Sequence, residues 1–148
     1  MKWRRHRDAQ PTIGEQALAD TWQVVSLLLD YPDDVLVSRV PMLRDVVAEL
    51  PEAQRLPLTE VLDTLEHGDL GALQAEYVDT FDVTRKCSLH LTYFTQGDTR
   101  RRGVALVEFK QAYRKAGVEF DTDAELPDHL CVVLEFGAVQ DQATAWNL

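Results

Sequence analysis

The chain has 148 residues, 45% hydrophobic and 27% charged, and its formal net charge is −10. These proportions suit one globular domain and exclude a disordered or collagen-like chain, and no stretch approaches the roughly 18 uninterrupted apolar residues of a membrane span. Two cysteines, Cys87 and Cys131, exclude a disulfide framework and a four-cysteine zinc site, so we expect reduced thiols in a cytoplasmic protein without stable membrane insertion.

The chain opens with a basic segment. Four of its first seven residues are Lys or Arg, and no apolar run follows them. This pattern excludes a secretory or twin-arginine signal. We therefore treat residues 1–12 as a basic N-terminal tail and residues 13–148 as one domain.

Apolar residues at helical spacing predict helices along the first half of the domain. The first helix covers residues 13–30 and ends before Pro32, because a residue that precedes proline is pushed out of the helical conformation. The second runs from Asp33 to Leu50, with Pro41 as a kink or a break. A third helix is predicted over roughly residues 57–66.

The second half of the domain has the same character. We predict a fourth helix over residues 69–82 and a short one capped by Ser88. A longer helix over residues 98–116 should end at Gly117. The last helix should open at Leu126-Pro127-Asp128, with Pro127 in the first turn, where no N–H is needed. The expected apolar face of the 98–116 helix consists of Val104, Val107 and Tyr113, flanked by Leu106 and Phe109.

No segment alternates polar and apolar residues with the period of a strand. The sequence therefore predicts an all-α, single helical-bundle domain of about six or seven helices. The last helix runs to Leu148 without a stop signal. We expect from this that the chain is truncated at its C-terminus, or that a partner or a second copy completes the fold as a homo-oligomer.

Enzyme chemistry has little support. Cys87 and His90 lie three positions apart, a spacing that could pair a thiolate with a base, but no nucleophile signature surrounds them. His90, His129 and nearby carboxylates could be assembled by folding, yet no metal-binding His-x-x-x-His or Glu-x-x-His motif occurs. We expect no catalytic residue, no metal site and no cofactor.

A DNA-binding regulator is the alternative function. Residues 85–115 have a net charge of +6, whereas residues 8–84 have −13 and residues 116–148 have −7. Arg100–Arg102 begin a helix that could enter a groove of DNA. Consecutive helical residues point in different directions, however, and the acidic flanks repel phosphate, so we expect no nucleic-acid partner.

Peptide binding is the third class. An all-α domain binds peptides in a groove between helices, through aromatic and aliphatic anchors and a few charges. Aromatic residues cluster around an acidic pair, and a second acidic residue stands at the predicted start of the last helix. Such a surface suits an amphipathic basic segment, although the helical pattern by itself favours a core position for Tyr77 and Phe81. The residues concerned are Tyr77, Phe81, Tyr93, Phe94, Asp79, Asp82, Asp128 and His129.

Five short segments occur in one order between about residues 20 and 140. They are residues 26–32 (SLLLDYP), 77–82 (YVDTFD), 88–93 (SLHLTY), 97–103 (GDTRRRG) and 125–130 (ELPDHL). Together they resemble the respiratory nitrate reductase delta subunit, the NarJ-type family of molybdenum cofactor assembly chaperones. Members of that family usually continue well beyond the point where this chain ends.

The resemblance implies an all-α chaperone without catalytic activity of its own. Its partner would be the N-terminal peptide of the apo nitrate reductase catalytic (alpha) subunit, bound in the cytoplasm. The chaperone would hold that subunit competent for molybdenum cofactor insertion and delay its docking to the membrane subunit. It would not remain in the finished enzyme.

The resemblance also implies where the peptide binds. In related members a Pro-Asp-His stretch and aromatic residues of neighbouring helices line the site. We expect Asp128 to attract a basic group and His129 to orient it by hydrogen bonding. Carried to this chain, the site comprises Pro127, Asp128 and His129, with Tyr77, Phe81, His90 and Tyr93.

Overall fold

The structure is a computed structural model that describes residues 13–97, 99–121 and 125–148. The basic tail predicted over residues 1–12 lies outside the described residues. Within the described residues there are nine α-helices, a π-helix (Val78–Val83), a 3-10 turn (Arg85–Cys87) and no strand, which confirms the all-α prediction. The α-helices are α1 (Glu15–Leu28), α2 (Asp34–Ser38), α3 (Val40–Ala48), α4 (Glu52–His67), α5 (Leu70–Tyr77), α6 (Leu91–Gln96), α7 (Arg100–Lys115), α8 (Leu130–Val139) and α9 (Gln142–Asn147).

Helices α1 to α4 enclose the first of two apolar cores. Asp33 caps α2, where its side chain accepts the N–H of Leu36 at 2.8 Å. The predicted kink at Pro41 is a helix boundary, since this residue lies in the first turn of α3. The core itself consists of Val24, Leu36, Val40, Leu43, Val47, Leu50, Leu62 and Leu65.

Two predicted helix boundaries are wrong, the start of α4 and the end of the fourth predicted helix. Helix α4 begins at Glu52, not near residue 57, and it tolerates Pro57 in its interior with the loss of one intrahelical hydrogen bond. The fourth predicted helix ends as an α-helix at Tyr77 and continues as the π-helix. Both differences arise because tertiary packing, rather than local preference, decides where a helix begins and ends.

Helices α7, α8 and α9 form the second core with one side of α1. The face predicted for α7 is confirmed at Tyr113, which is 1% exposed, and wrong at Val104 and Val107, which are 64% and 49% exposed. Phe109, predicted only to flank that face, is buried at 7% exposed. Two apolar stripes run along α7, and only packing selects the one that turns inward. The buried members of this core are Phe109, Tyr113, Val133, Phe136 and Ala145.

The predicted last helix is two helices. Helix α8 ends at Val139, and Asp141 caps α9 by accepting the N–H of Thr144 at 2.9 Å. Helix α8 lies close against α1 because Gly137 has no side chain. A Cβ added there would lie 2.5 Å from the ring of Trp22.

Among the described residues, no helix is both long enough and apolar enough to cross a membrane.

Candidate functional site

Two loop segments that are far apart in sequence meet in front of α6 and α8. His90 and His129 form an isolated antiparallel bridge. The N–H of Leu91 donates to the carbonyl of Asp128 at 3.1 Å, and the N–H of Leu130 donates to that of Leu89 at 2.8 Å. The bridge thereby brings together His90 and the Pro127–His129 stretch, which are two parts of the predicted peptide site.

Asp128 lies beneath this bridge, with 0% of its surface exposed. Its Oδ2 atom accepts the backbone N–H of Thr92 at 3.0 Å and the Thr92 hydroxyl at 2.7 Å. Burial alone would raise the pKa of Asp128, but bonding to His90 and Thr92 outweighs it and lowers the pKa to about 2. The direct contact expected between Asp128 and a basic client group is not available in this arrangement, because the carboxylate is sealed inside.

His90 connects the buried carboxylate to the surface. Its Nδ1 atom lies 3.4 Å from Oδ1 of Asp128, and both atoms are buried without a hydrogen-bond partner among the described residues. The two atoms therefore face each other as an ion pair when His90 is protonated, and as a long donor–acceptor contact when it is neutral. The His90 side chain is 31% exposed, so part of the ring reaches the surface.

Pro127 and His129 hold the start of α8. The prediction that Pro127 lies in the first helical turn is wrong, because α8 begins at Leu130. Pro127 is instead fully buried, and its carbonyl accepts the hydroxyl of Tyr113 at 2.5 Å. His129 is the N-cap, with Nδ1 accepting the N–H of Cys131 at 3.2 Å. Ser88 does not cap α6; its hydroxyl accepts the N–H of His90 at 3.3 Å.

An aromatic groove lies between the end of α1, α4 and α5. The hydroxyl of Tyr77 donates to the Leu29 carbonyl at 2.7 Å. Its ring packs against Phe81 at 4.7 Å and edge-on against Tyr31 at 5.6 Å. The groove has a volume of about 300 Å³ and is lined by Leu28, Asp30, Pro32, Val61, Thr64, Leu65, Leu73, Glu76, Tyr77, Thr80 and Phe81. Tyr77 and Phe81 are thus half-buried groove residues rather than core residues.

The groove and the bridge adjoin. Burial raises the pKa of Tyr77 to about 12, and the charges of Asp30 and Glu125 add to the effect. Burial likewise raises the pKa of the Cys131 thiol to about 11, and Asp30 and Glu125 again add to the effect. Burial lowers the pKa of His129, whereas the charges of Asp30 and Glu125 act to raise it. Because the charges of Asp30 and Glu125 act on all three groups, we refer to the Tyr77 groove and the histidine bridge together as the acidic surface.

Tyr93 lies on α6, one turn beyond His90. Its ring packs edge-on against Phe94 at 6.0 Å, and Phe94 is 55% exposed.

Four residues of this region were not predicted as site residues: Asp30, Thr92, Arg102 and Glu125. Arg102 donates from Nε to the Thr92 hydroxyl at 3.1 Å and so belongs to the network under the bridge. This leaves only two exposed arginines in the triplet that suggested DNA binding. The hydrogen bond of the Thr92 hydroxyl to Asp128 could be predicted only if the pairing of the His90 and His129 segments were already known.

The comparisons with known proteins bear on this surface. Residues 47–147 match the family profile described as "Nitrate reductase delta subunit". The chain belongs to that family. A Bacillus subtilis (strain 168) protein named as a probable nitrate reductase molybdenum cofactor assembly chaperone, NarJ, is 34% identical over 122 residues, which are 82% of this chain and 66% of the relative.

Two further matches are more distant in length or in sequence. The nitrate reductase-like protein NarX of Mycobacterium tuberculosis (strain H37Rv) is 37% identical over 120 residues, 81% of this chain and 18% of the relative. A crystal structure from Archaeoglobus fulgidus, described as that of a redox enzyme maturation protein, has a TM-score of 0.59 and 27% identity over 90% of this chain and 75% of that one. The chain thus spans less than two thirds of the length of the Bacillus subtilis and Mycobacterium tuberculosis relatives. The family assignment agrees with the resemblance predicted from the five segments.

Proposed function

We propose that this chain is a cytoplasmic assembly chaperone for nitrate reductase. It binds the N-terminal segment of the apo catalytic subunit, keeps that subunit competent for molybdenum cofactor insertion, and releases it before membrane docking, without catalysing a reaction. One observation carries the proposal. A groove lined by half-buried aromatic rings and by the carboxylates of Asp30 and Glu76 lies in a chain that matches the family over residues 47–147.

The chemistry of the groove suits a basic, amphipathic peptide. Rings offer large apolar contacts for aliphatic or aromatic anchors. Asp30, Glu76 and Glu125 offer negative charge at the edges, where charges mainly accelerate association and select basic partners. Ordering a flexible peptide costs roughly 2–5 kcal/mol, which keeps the net affinity moderate and allows release.

The predicted site residues divide into two roles. Tyr77, Phe81, His90 and His129, together with Tyr93 on α6, are accessible and would contact the client. Pro127 and Asp128 lie inside and would act as positioning residues, because the first fixes the entry to α8 and the second holds His90 and Thr92.

Titration with a labelled peptide tests the proposal. A synthetic peptide with the N-terminal sequence of the cognate catalytic subunit is followed by fluorescence anisotropy. Asp30→Asn and Glu125→Gln should each weaken binding about three- to tenfold, and raising the salt from about 50 to about 500 mM should weaken the wild type more than either variant. Glu49→Gln, at an exposed site outside the groove, is the matched control.

Unchanged affinity in both Asp30→Asn and Glu125→Gln would contradict the role given to the acidic surface. Absence of any peptide binding by the folded chain would contradict the function itself. The self-association expected from the sequence stays a prediction, which light scattering of the purified chain checks.

A further inference from the structure

We propose that His90, Glu125 and His129 form a binding site for one divalent first-row transition-metal ion, with Zn²⁺ as its probe. One ligand atom from each of the three side chains lies within 4.8 Å of the other two. Two imidazoles and one carboxylate are a donor set that zinc accepts, with water in the remaining position. The site does not depend on the proposed function.

The backbone places these ligands. The antiparallel bridge holds His90 directly opposite His129, with ring centroids 5.1 Å apart and the planes nearly perpendicular. Glu125 precedes His129 in the same segment. In sequence the three residues are separated by 35 and 4 positions, so no spacing motif could reveal them.

The buried carboxylate behind His90 is the second, independent observation. Metal-bound histidines usually donate their other ring N–H to a carboxylate, which fixes the tautomer and strengthens the ligand. Here Nδ1 of His90 faces Oδ1 of Asp128 at 3.4 Å, and both atoms are buried without a hydrogen-bond partner among the described residues. A proton on Nδ1 leaves the lone pair of Nε2 free for the ion.

His129 has to give up its capping bond to bind the ion. Its Nδ1 atom now accepts the N–H of Cys131 at 3.2 Å, so the proton of the neutral ring is on Nε2. An ion bound at Nε2 moves that proton to Nδ1, which can no longer accept. Metal binding is therefore coupled to the loss of the N-cap of α8, and the Cys131 amide should exchange with solvent faster in the loaded protein.

The chain contains a matched comparison cluster. Asp63, Glu66 and His67 also bring three ligand atoms within 4.8 Å, but all three residues are exposed. Arg44 bonds to both carboxylates of this cluster, so their charge is already compensated. Nothing buried orients His67, and we expect no tight binding there.

Calorimetric titration of the metal-free, tag-free full chain with Zn²⁺ tests the site. We expect one ion per chain, a loss of affinity of about tenfold or more in His90→Ala, in His129→Ala and in Glu125→Gln, and unchanged affinity in His67→Ala. Mg²⁺, which prefers a shell of oxygen atoms, should not bind or compete. Co²⁺ should give the visible absorption of a four- or five-coordinate ion.

Folding is checked by circular dichroism, and Glu125→Gln, at an exposed position, keeps the test valid if a histidine variant does not fold. The proposal is overturned if the wild type takes up no stoichiometric Zn²⁺, or if His67→Ala removes binding that His90→Ala and Glu125→Gln leave intact. Peptide affinity is measured separately, so a failed metal titration leaves the proposed function standing, and the reverse also holds.

Discussion

Replacement of Asp128 by asparagine should destabilise the fold in a way that depends on pH. The variant keeps the shape of the side chain but removes the charge that Thr92 and His90 surround. The pKa of Asp128 falls from an ordinary 3.8 to about 2 in the folded protein, despite the opposing effect of burial. A difference of about two pKa units corresponds to about 2–3 kcal/mol of folding free energy at neutral pH.

The sign follows from which state binds the proton more tightly. Because the folded pKa is depressed, the unfolded chain takes up the proton first as the pH falls. The stabilising contribution is therefore complete above about pH 5 and disappears between about pH 4 and pH 2. We expect Asp128→Asn to unfold about 2–3 kcal/mol more easily than the wild type at pH 7, with the difference closing toward zero near pH 2.

Urea unfolding followed by circular dichroism at a series of pH values measures this difference directly. Asp141, whose pKa is lowered by hydrogen bonding to Thr144, is present in both proteins and cancels from the comparison. Asp45→Asn, exposed on α3, should match the wild type within about 0.5 kcal/mol. Parallel pH curves for wild type and Asp128→Asn, or equal stability at pH 7, would refute the electrostatic account of the buried network.

Three other predictions concern packing, a buried carbonyl and a thiol. Gly137→Ala should destabilise the fold by about 1–3 kcal/mol, since the new methyl group meets the Trp22 ring of α1. Gly103→Ala has open space around the new methyl group and should stabilise the fold by up to about 1 kcal/mol. Thermal unfolding of the two variants and the wild type measures both effects. Tyr113→Phe should lower the free energy of unfolding in urea by about 1–3 kcal/mol, because it leaves the buried carbonyl of Pro127 without its hydrogen bond. Unchanged stability would show that this hydrogen bond does not stabilise the fold. The third prediction uses Cys87→Ser, in which Cys131 is the one remaining thiol. At pH 8, Cys131 should react with iodoacetamide roughly a hundredfold more slowly than a free cysteine, because its pKa is about 11 instead of 9.0. Mass spectrometry measures the rate, and alkylation at the ordinary rate would show that the thiol is not buried.

Local rules account for most of the helices but not for which face each one buries. The spacing of apolar residues and Pro32 predict α1 to within two residues at each end, since both signals are local in sequence. On α7 the same spacing offers two apolar stripes, and it selected Val104 and Val107, which are exposed. The choice between stripes depends on α8 and α9, which are distant in sequence, so no local signal resolves it.

The candidate site shows the same division. The family resemblance led to Pro127, Asp128 and His129, and the structure brings them to His90. The sequence could not indicate that Thr92 would pair with Asp128, because the contact spans 36 positions and depends on the backbone bridge. Nor could it indicate that the acid would face inward, since a charged residue before a helix is ordinarily an exposed cap.

A turn over residues 126–129, in which the N–H of His129 donates to the Leu126 carbonyl at 3.1 Å, explains how one short segment supplies both the interior and the surface of the site. Glu125 is exposed and His129 is half-buried, while Pro127 and Asp128 between them are sealed inside. The two inner residues bond to Tyr113 and Thr92, and the two outer ones carry charge or a ring nitrogen to the acidic surface. Changes at the inner positions should therefore alter stability, and changes at the outer positions should alter binding. If Asp128→Asn weakened peptide binding more than Glu125→Gln without any loss of stability, this division of roles would be wrong and the acid would have to reach the client directly.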